Sequence, residues 1–172
     1  PGAGGNLRMI SNLNKKIKSA MPGAFPIIQK AFETIGFAKV ATSAKEAQAI
    51  GYLKKDDRIV VNRDHILSEA KNEVLSMADN YTVPEVESFK LPGKSGRLVL
   101  EGTLKGFVKA GKISEHDALI GRKLGHVLTG GEKGGPFSAV DEQYLLDIER
   151  EAFLSLCGES KTLDRIRYML TK

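Results

Sequence analysis

The chain has no tryptophan, a single cysteine and few aromatic residues, 6% of 172. Cys157 alone cannot close an internal disulfide, which argues against a stapled secreted scaffold and for a reducing cytoplasm. No apolar run approaches the roughly 18 residues of a membrane-spanning helix, and no signal-like stretch opens the chain, so a membrane span is not expected. No His–Cys or Cys–Cys spacing offers a set of metal ligands. Acidic residues are missing from residues 1–30, which hold Arg8, Lys15, Lys16, Lys18 and Lys30. The remainder carries 21 basic and 21 acidic residues, so the whole net charge of +5 sits in that first segment. Nucleic-acid binding calls for a broader basic surface, and for aromatics interleaved with it where single strands are held. Neither is present.

What remains is the composition of a soluble globular protein, 41% hydrophobic and 27% charged. A chain of this length can bury about 70% of its unfolded surface, enough for one ordinary domain or two small ones. Apolar residues recur mostly at helical spacing. Leu7, Ile10, Leu13, Ile17 and Met21 mark a first helix, stopped at Pro22-Gly23. Pro26 starts a second through Ile27, Ile28, Ala31, Phe32 and Ile35. Ser43 to Glu46 and Ser114 to Asp117 are capping boxes, in which a Ser side chain and a later carboxylate satisfy each other's backbone N–H groups. Asn62 caps a helix through Ile66, Leu67, Ala70, Val74, Leu75 and Met77. Ile59 to Val61 is a short strand-like run, and residues 81–94 read as an extended connection. A helix over residues 95–110 is weakened by Gly102 and Gly106. Ser138 caps a strong helix ending at Gly158, and a last helix begins near Thr162. The fold class expected is mainly α, with little or no sheet.

Gly2 to Asn6, a glycine-rich loop running into a helix, is the one local feature with an evident chemical use. Free N–H groups and the helix dipole favour an anion or a polarised oxygen there. The loop lacks the Lys-Ser/Thr of a P-loop and does not read G-x-G-x-x-G. His65, His116 and His126 fall in separate helical segments, and His116 is expected to be exposed at a helix start. Cys157 reads as a buried structural thiol at a helix C-terminus, where the dipole disfavours a thiolate. Asp56-Asp57, Asp141-Glu142, Glu149 and Glu151 read as solvated faces or helix-start charges, as do Asp64 and Glu69.

Taken together, the segments resemble a known family. Pro1-Gly2-Ala3-Gly4-Gly5 followed by Asn6-Leu7-Arg8-Met9 is similar to the P-G-x-G-G-x-x-R-L stretch of the crotonase superfamily, the enoyl-CoA hydratases and isomerases. Ser43-Ala44-Lys45-Glu46-Ala47 through Gly51-Tyr52-Leu53 resembles a second signature of that family, and residues 63–79 its following helix. Glu149 to Phe153, Cys157 to Glu159 and Arg165 to Leu170 resemble the C-terminal helices. The wording there is similar to the large bacterial 3-hydroxyacyl-CoA dehydrogenases that fuse a dehydrogenase part to a crotonase-like part.

The resemblance implies that the chain is the last third or quarter of a longer, cytoplasmic enzyme of fatty-acid β-oxidation. Such an enzyme oxidises 3-hydroxyacyl-CoA with NAD and in some cases hydrates enoyl-CoA. Residues 1–82 would be a truncated crotonase-like helical region, 83–112 a connection and helix, and 113–172 a C-terminal helical region. The family's acid/base glutamates and oxyanion glycines would lie upstream of Pro1, so no catalytic residue is expected in the chain, which would be inert and structural or oligomerising. NAD would bind the dehydrogenase part and no cofactor these residues. Gly2 is the one position matching a substrate-binding group, a backbone N–H that holds the attacking water. Lys172 would lie near the CoA phosphates. The expected partners are the acyl-CoA substrate, the dehydrogenase part or a second copy, and no nucleic acid. The alternative reading is an independent helical interaction module.

Overall fold

The computed structural model describes residues 2–17 and 23–171, the side chains of residues 16 and 17 aside. Among these, eight α-helices follow one another: α1 (Gly5–Ile17), α2 (Phe25–Gly36), α3 (Ala44–Ile50), α4 (Ile66–Ala78), α5 (Gly93–Lys109), α6 (Glu115–Leu128), α7 (Glu142–Cys157) and α8 (Ser160–Leu170). Two three-residue strands, β1 (Ser88–Lys90) and β2 (Ala139–Asp141), pair antiparallel with Phe89 opposite Val140. The mainly helical class expected from the spacing is the one that forms.

The core lies where α1, α2, α6 and α7 meet. Ile10 and Leu13 of α1, Ile28 of α2, Leu128 of α6 and Leu145 of α7 are each at most 1% exposed. Full burial of a side chain of this size contributes about 1.5–3 kcal/mol. α5 lies along α6, seated by two glycines. A Cβ on Gly121 would come within 2.6 Å of the Leu104 side chain, and Gly125 faces Leu100. Gly102 and Gly106, which weaken α5 on propensity, look into open space.

Local chemistry explains most helix ends. Ser114 Oγ accepts from the Asp117 N–H while the Asp117 carboxylate accepts from the Ser114 N–H, the full capping box. At α3, Ser43 Oγ accepts from the Glu46 N–H, but the Glu46 carboxylate accepts from the backbone and hydroxyl of Thr42 instead. Asn62 caps a short 3-10 turn (Arg63–His65) from which α4 continues.

Several boundaries differ from expectation. Ser138 does not cap α7. Residues 139–141 are drawn into β2, so Asp141 takes the cap, accepting from the Tyr144 N–H at 2.7 Å, and the Ser138 hydroxyl donates to the Lys133 carbonyl. The connection over 81–94 contains β1, whereas Ile59 to Val61 lack a pairing partner and form no strand. α5 begins at Gly93 and α8 at Ser160, each two residues early. α1 is helical through Ile17; its expected end at Pro22 lies outside the described residues. Gly130 and Gly131, which end α6, are buried at positive φ.

Candidate functional site

Gly4 turns the glycine loop into α1 at φ +85°, and its carbonyl accepts the Arg8 N–H at 3.0 Å. α1 has no acidic residue in its first turn. The anion expected at these N–H groups comes from another helix. Asn6 N–H points at Glu149 Oε1 of α7, 3.5 Å away, where the dipole favours negative charge. Glu149 is therefore not on a solvated face; it is 2% exposed. Its second oxygen, Oε2, has no hydrogen-bond partner among the described residues, and neither has Oδ1 of the equally buried Asn6. An unmet buried acceptor costs about 1–3 kcal/mol, so this pair is the clearest sign of a site.

Both residues line a cavity of about 340 Å³, with apolar walls from Phe32 of α2, Leu104 of α5, Ile120 and Leu124 of α6 and Phe153 of α7. Its size is that of a small-molecule pocket, and its walls are mostly apolar with a few charged side chains, Glu149 and Lys123 among them. Asp117 and Arg165 also line it, paired at 2.7 Å. Hydrogen bonds from Ser114, then the Arg165 guanidinium, push the Asp117 carboxyl down to about 2. Gly2, the substrate-binding position implied by the resemblance, packs at the same corner: a Cβ there would sit 2.8 Å from the Phe153 ring.

His116 and His126 share α6 rather than falling in separate helical segments, ten residues apart along it, and His65 precedes α4. His65 is exposed in the 3-10 turn. His116 is buried, contrary to expectation, because its Nε2 lies 3.0 Å from Thr162 Oγ1 and ties α6 to the start of α8. His126 Nδ1 lies 2.7 Å from the Arg97 guanidinium, which can only donate, so the imidazole is neutral and accepts. Burial and then Arg97 lower its pKa from the ordinary 6.5, while Glu132 and Glu151 act weakly the other way. Below 6.5 the unfolded chain therefore takes up the proton before the folded one. Stability should fall as pH drops through that window and be complete above it. Urea titrations across the window should show a shallower loss for His126→Gln, which accepts from Arg97 without titrating; equal slopes would refute the neutral acceptor.

Cys157 is half-buried at the C-terminus of α7, less enclosed than expected. No group of three His, Cys, Asp or Glu side chains gathers as metal ligands among the described residues. The basic excess of α1 is partly spent within the chain. Lys15 pairs with Glu87, which also accepts from the Ser11 hydroxyl at 2.7 Å. Lys172 and Lys18 lie outside the described residues. Among those residues, no helix is long and apolar enough to cross a membrane.

Glu149 is the residue that reading for chemistry missed, and a signal for it exists. Leu145, Glu149, Ala152 and Leu156 follow the four-three-four spacing of the buried stripe of α7, so the carboxylate stands where a core residue belongs.

Fold and site together define a helical domain with an apolar pocket that closes on one buried carboxylate. Along its whole length the chain is similar to a probable 3-hydroxyacyl-CoA dehydrogenase of Bacillus subtilis (strain 168), at 44% identity over 174 residues. The match takes in 100% of this chain and 21% of that protein, so the chain spans about a fifth of the curated relative it matches. No family model and no solved structure matches the chain.

Proposed function

We propose that the chain is part of a longer enzyme of fatty-acid β-oxidation that oxidises 3-hydroxyacyl-CoA with NAD, with hydration of enoyl-CoA as a second activity of a crotonase-like part. The observation that carries this reading is the 44% identity, over every residue of the chain, to a probable 3-hydroxyacyl-CoA dehydrogenase. The family resemblance of the Gly2 loop and the C-terminal helices supports it. NAD would be held outside these residues, which contain no G-x-G-x-x-G turn. Within them, Glu149 faces the α1 N-terminus and is the natural support of the loop carrying Gly2, whose N–H would hold the attacking water. Supplying the natural-length protein with NAD and a 3-hydroxyacyl-CoA should produce NADH. Failure of several chain lengths to do so would end this reading.

The chain's own part would be structural. α4 buries none of its side chains, and Leu67, Val74 and Leu75 are 83%, 62% and 59% exposed. Apolar surface of this kind is ordinarily covered by a partner; here the rest of the enzyme would cover it. Sedimentation of the 172 residues alone should accordingly show self-association that Leu67→Ser with Leu75→Ser weakens. A wild-type monomer at high concentration would count against it. An independent helical interaction module would use the same face, and formation of NADH by the natural-length protein separates the two.

A further inference from the structure

We infer that α4 docks on a second copy of this chain, lying along the outward face of α5 there, and that the second copy's α4 returns the contact. The inference rests on the structural role proposed above and names what covers α4, a second subunit.

Residues 52–88 form an arm in which no residue is buried, α4 included. The arm is acidic, with 5 basic and 8 acidic residues, whereas the rest of the chain carries 21 basic and 13 acidic. An acidic arm and a basic body on one chain complement each other between copies, and a twofold axis makes the contact twice.

Charge also selects α5. The exposed helix α8 is basic too, but its Arg165 and Arg167 already pair with Asp117 and Asp164. On α5, Leu98 and Val99 are 58% and 55% exposed, and Lys94, Glu101 and Lys109 make no ion pair among the described residues. Those three charges follow one another at seven and then eight residues, which keeps them on one side of the helix with Leu98. Lys105, on the same side, adds to the positive end. The arm carries the opposite signs at the same spacing: Asp64 in the 3-10 turn, Lys71 within α4 and Asp79 at its C-cap, likewise without an ion pair among the described residues. Laid parallel, Asp64 meets Lys94, Lys71 meets Glu101 and Asp79 meets Lys109, while Leu67, Val74 and Leu75 gain an apolar neighbour in Leu98 and Val99. Glu69 and Glu73 are held by Arg58 and stand outside this pattern.

The test is sedimentation equilibrium of the 172 residues and of two charge-reversed variants, Lys94→Glu with Lys109→Glu and Asp64→Lys with Asp79→Lys. The wild type should form a dimer. Each variant alone sets like charges opposite one another and should dimerise at least about tenfold more weakly. In an equimolar mixture each arm again meets a body of opposite charge, so association should return to within about threefold of the wild type. A monomeric wild type, a variant that dimerises like the wild type, or a mixture no stronger than its components would each overturn the inference. Association that Leu67→Ser with Leu75→Ser weakens, and Lys94→Glu with Lys109→Glu leaves unchanged, would keep the structural role and overturn the contact with α5. Should a reversed variant fail to fold, Lys94→Gln with Lys109→Gln should still weaken the dimer, and an unchanged dimer overturns the inference. NADH formation, which decides the dehydrogenase reading, is measured independently of all these outcomes.

Discussion

Gly93→Ala should cost about 3 kcal/mol or more, because it combines two faults at one position. Gly93 opens α5 at φ +61°, where a side chain is strained, and a Cβ there would lie 2.2 Å from the Gly134 carbonyl oxygen. That oxygen is backbone and cannot swing aside. Nor can the corner relax readily, since the Gly93 N–H donates to the buried Thr129 carbonyl at 2.9 Å and the Gly134 N–H to Gly130 at 2.8 Å. The start of α5 is thereby latched to the end of α6. Urea unfolding should show a lower midpoint at unchanged slope. Gly102→Ala is the matched control, with open space around it in the same helix. It should stabilise by about 0.5–1 kcal/mol through helix propensity. If both variants shift the midpoint alike, the packed corner is not what the geometry describes.

Leu145→Ala is the second large effect, at about 2–5 kcal/mol. Leu145 is 0% exposed, in the stripe of α7 that meets α1 one turn before Glu149. Its loss would leave a cavity in the core cluster it shares with Ile10 and Leu128, which closes only if neighbouring side chains move. Domains of this size have about 5–15 kcal/mol in total, so the variant should sit close to its unfolding transition. Leu154→Ala, nine residues further along the same helix, removes a side chain that is 61% exposed and should stay within about 0.5 kcal/mol. Thermal melts of the pair separate core packing from a general intolerance of α7.

What could be read from the chain in advance was local. The Ser114–Asp117 box needs only residues three apart, and both halves form. The stripe of α2 through Ile28 and Phe32 likewise follows from spacing alone. Pairings distant in sequence were not legible. Asp141 displaces Ser138 as the cap because β2 pairs with β1, some fifty residues earlier. His116 is buried because Thr162 approaches it from another helix. The site was half legible. An anion at the Gly2–Asn6 loop follows from the helix dipole, but its source is 143 residues away in Glu149, read as a surface charge until its place in the α7 stripe is noticed. The crotonase-like division of the chain rests on resemblance and stands as a proposal.

The proposed function holds that these residues are part of an enzyme that oxidises 3-hydroxyacyl-CoA and that the oxidising machinery lies outside them. Its most direct test is NADH formation from one 3-hydroxyacyl-CoA, measured side by side for the natural-length protein and for the 172 residues alone. The account predicts turnover by the first and none by the second. Turnover by the isolated chain, or its absence from both, would contradict it.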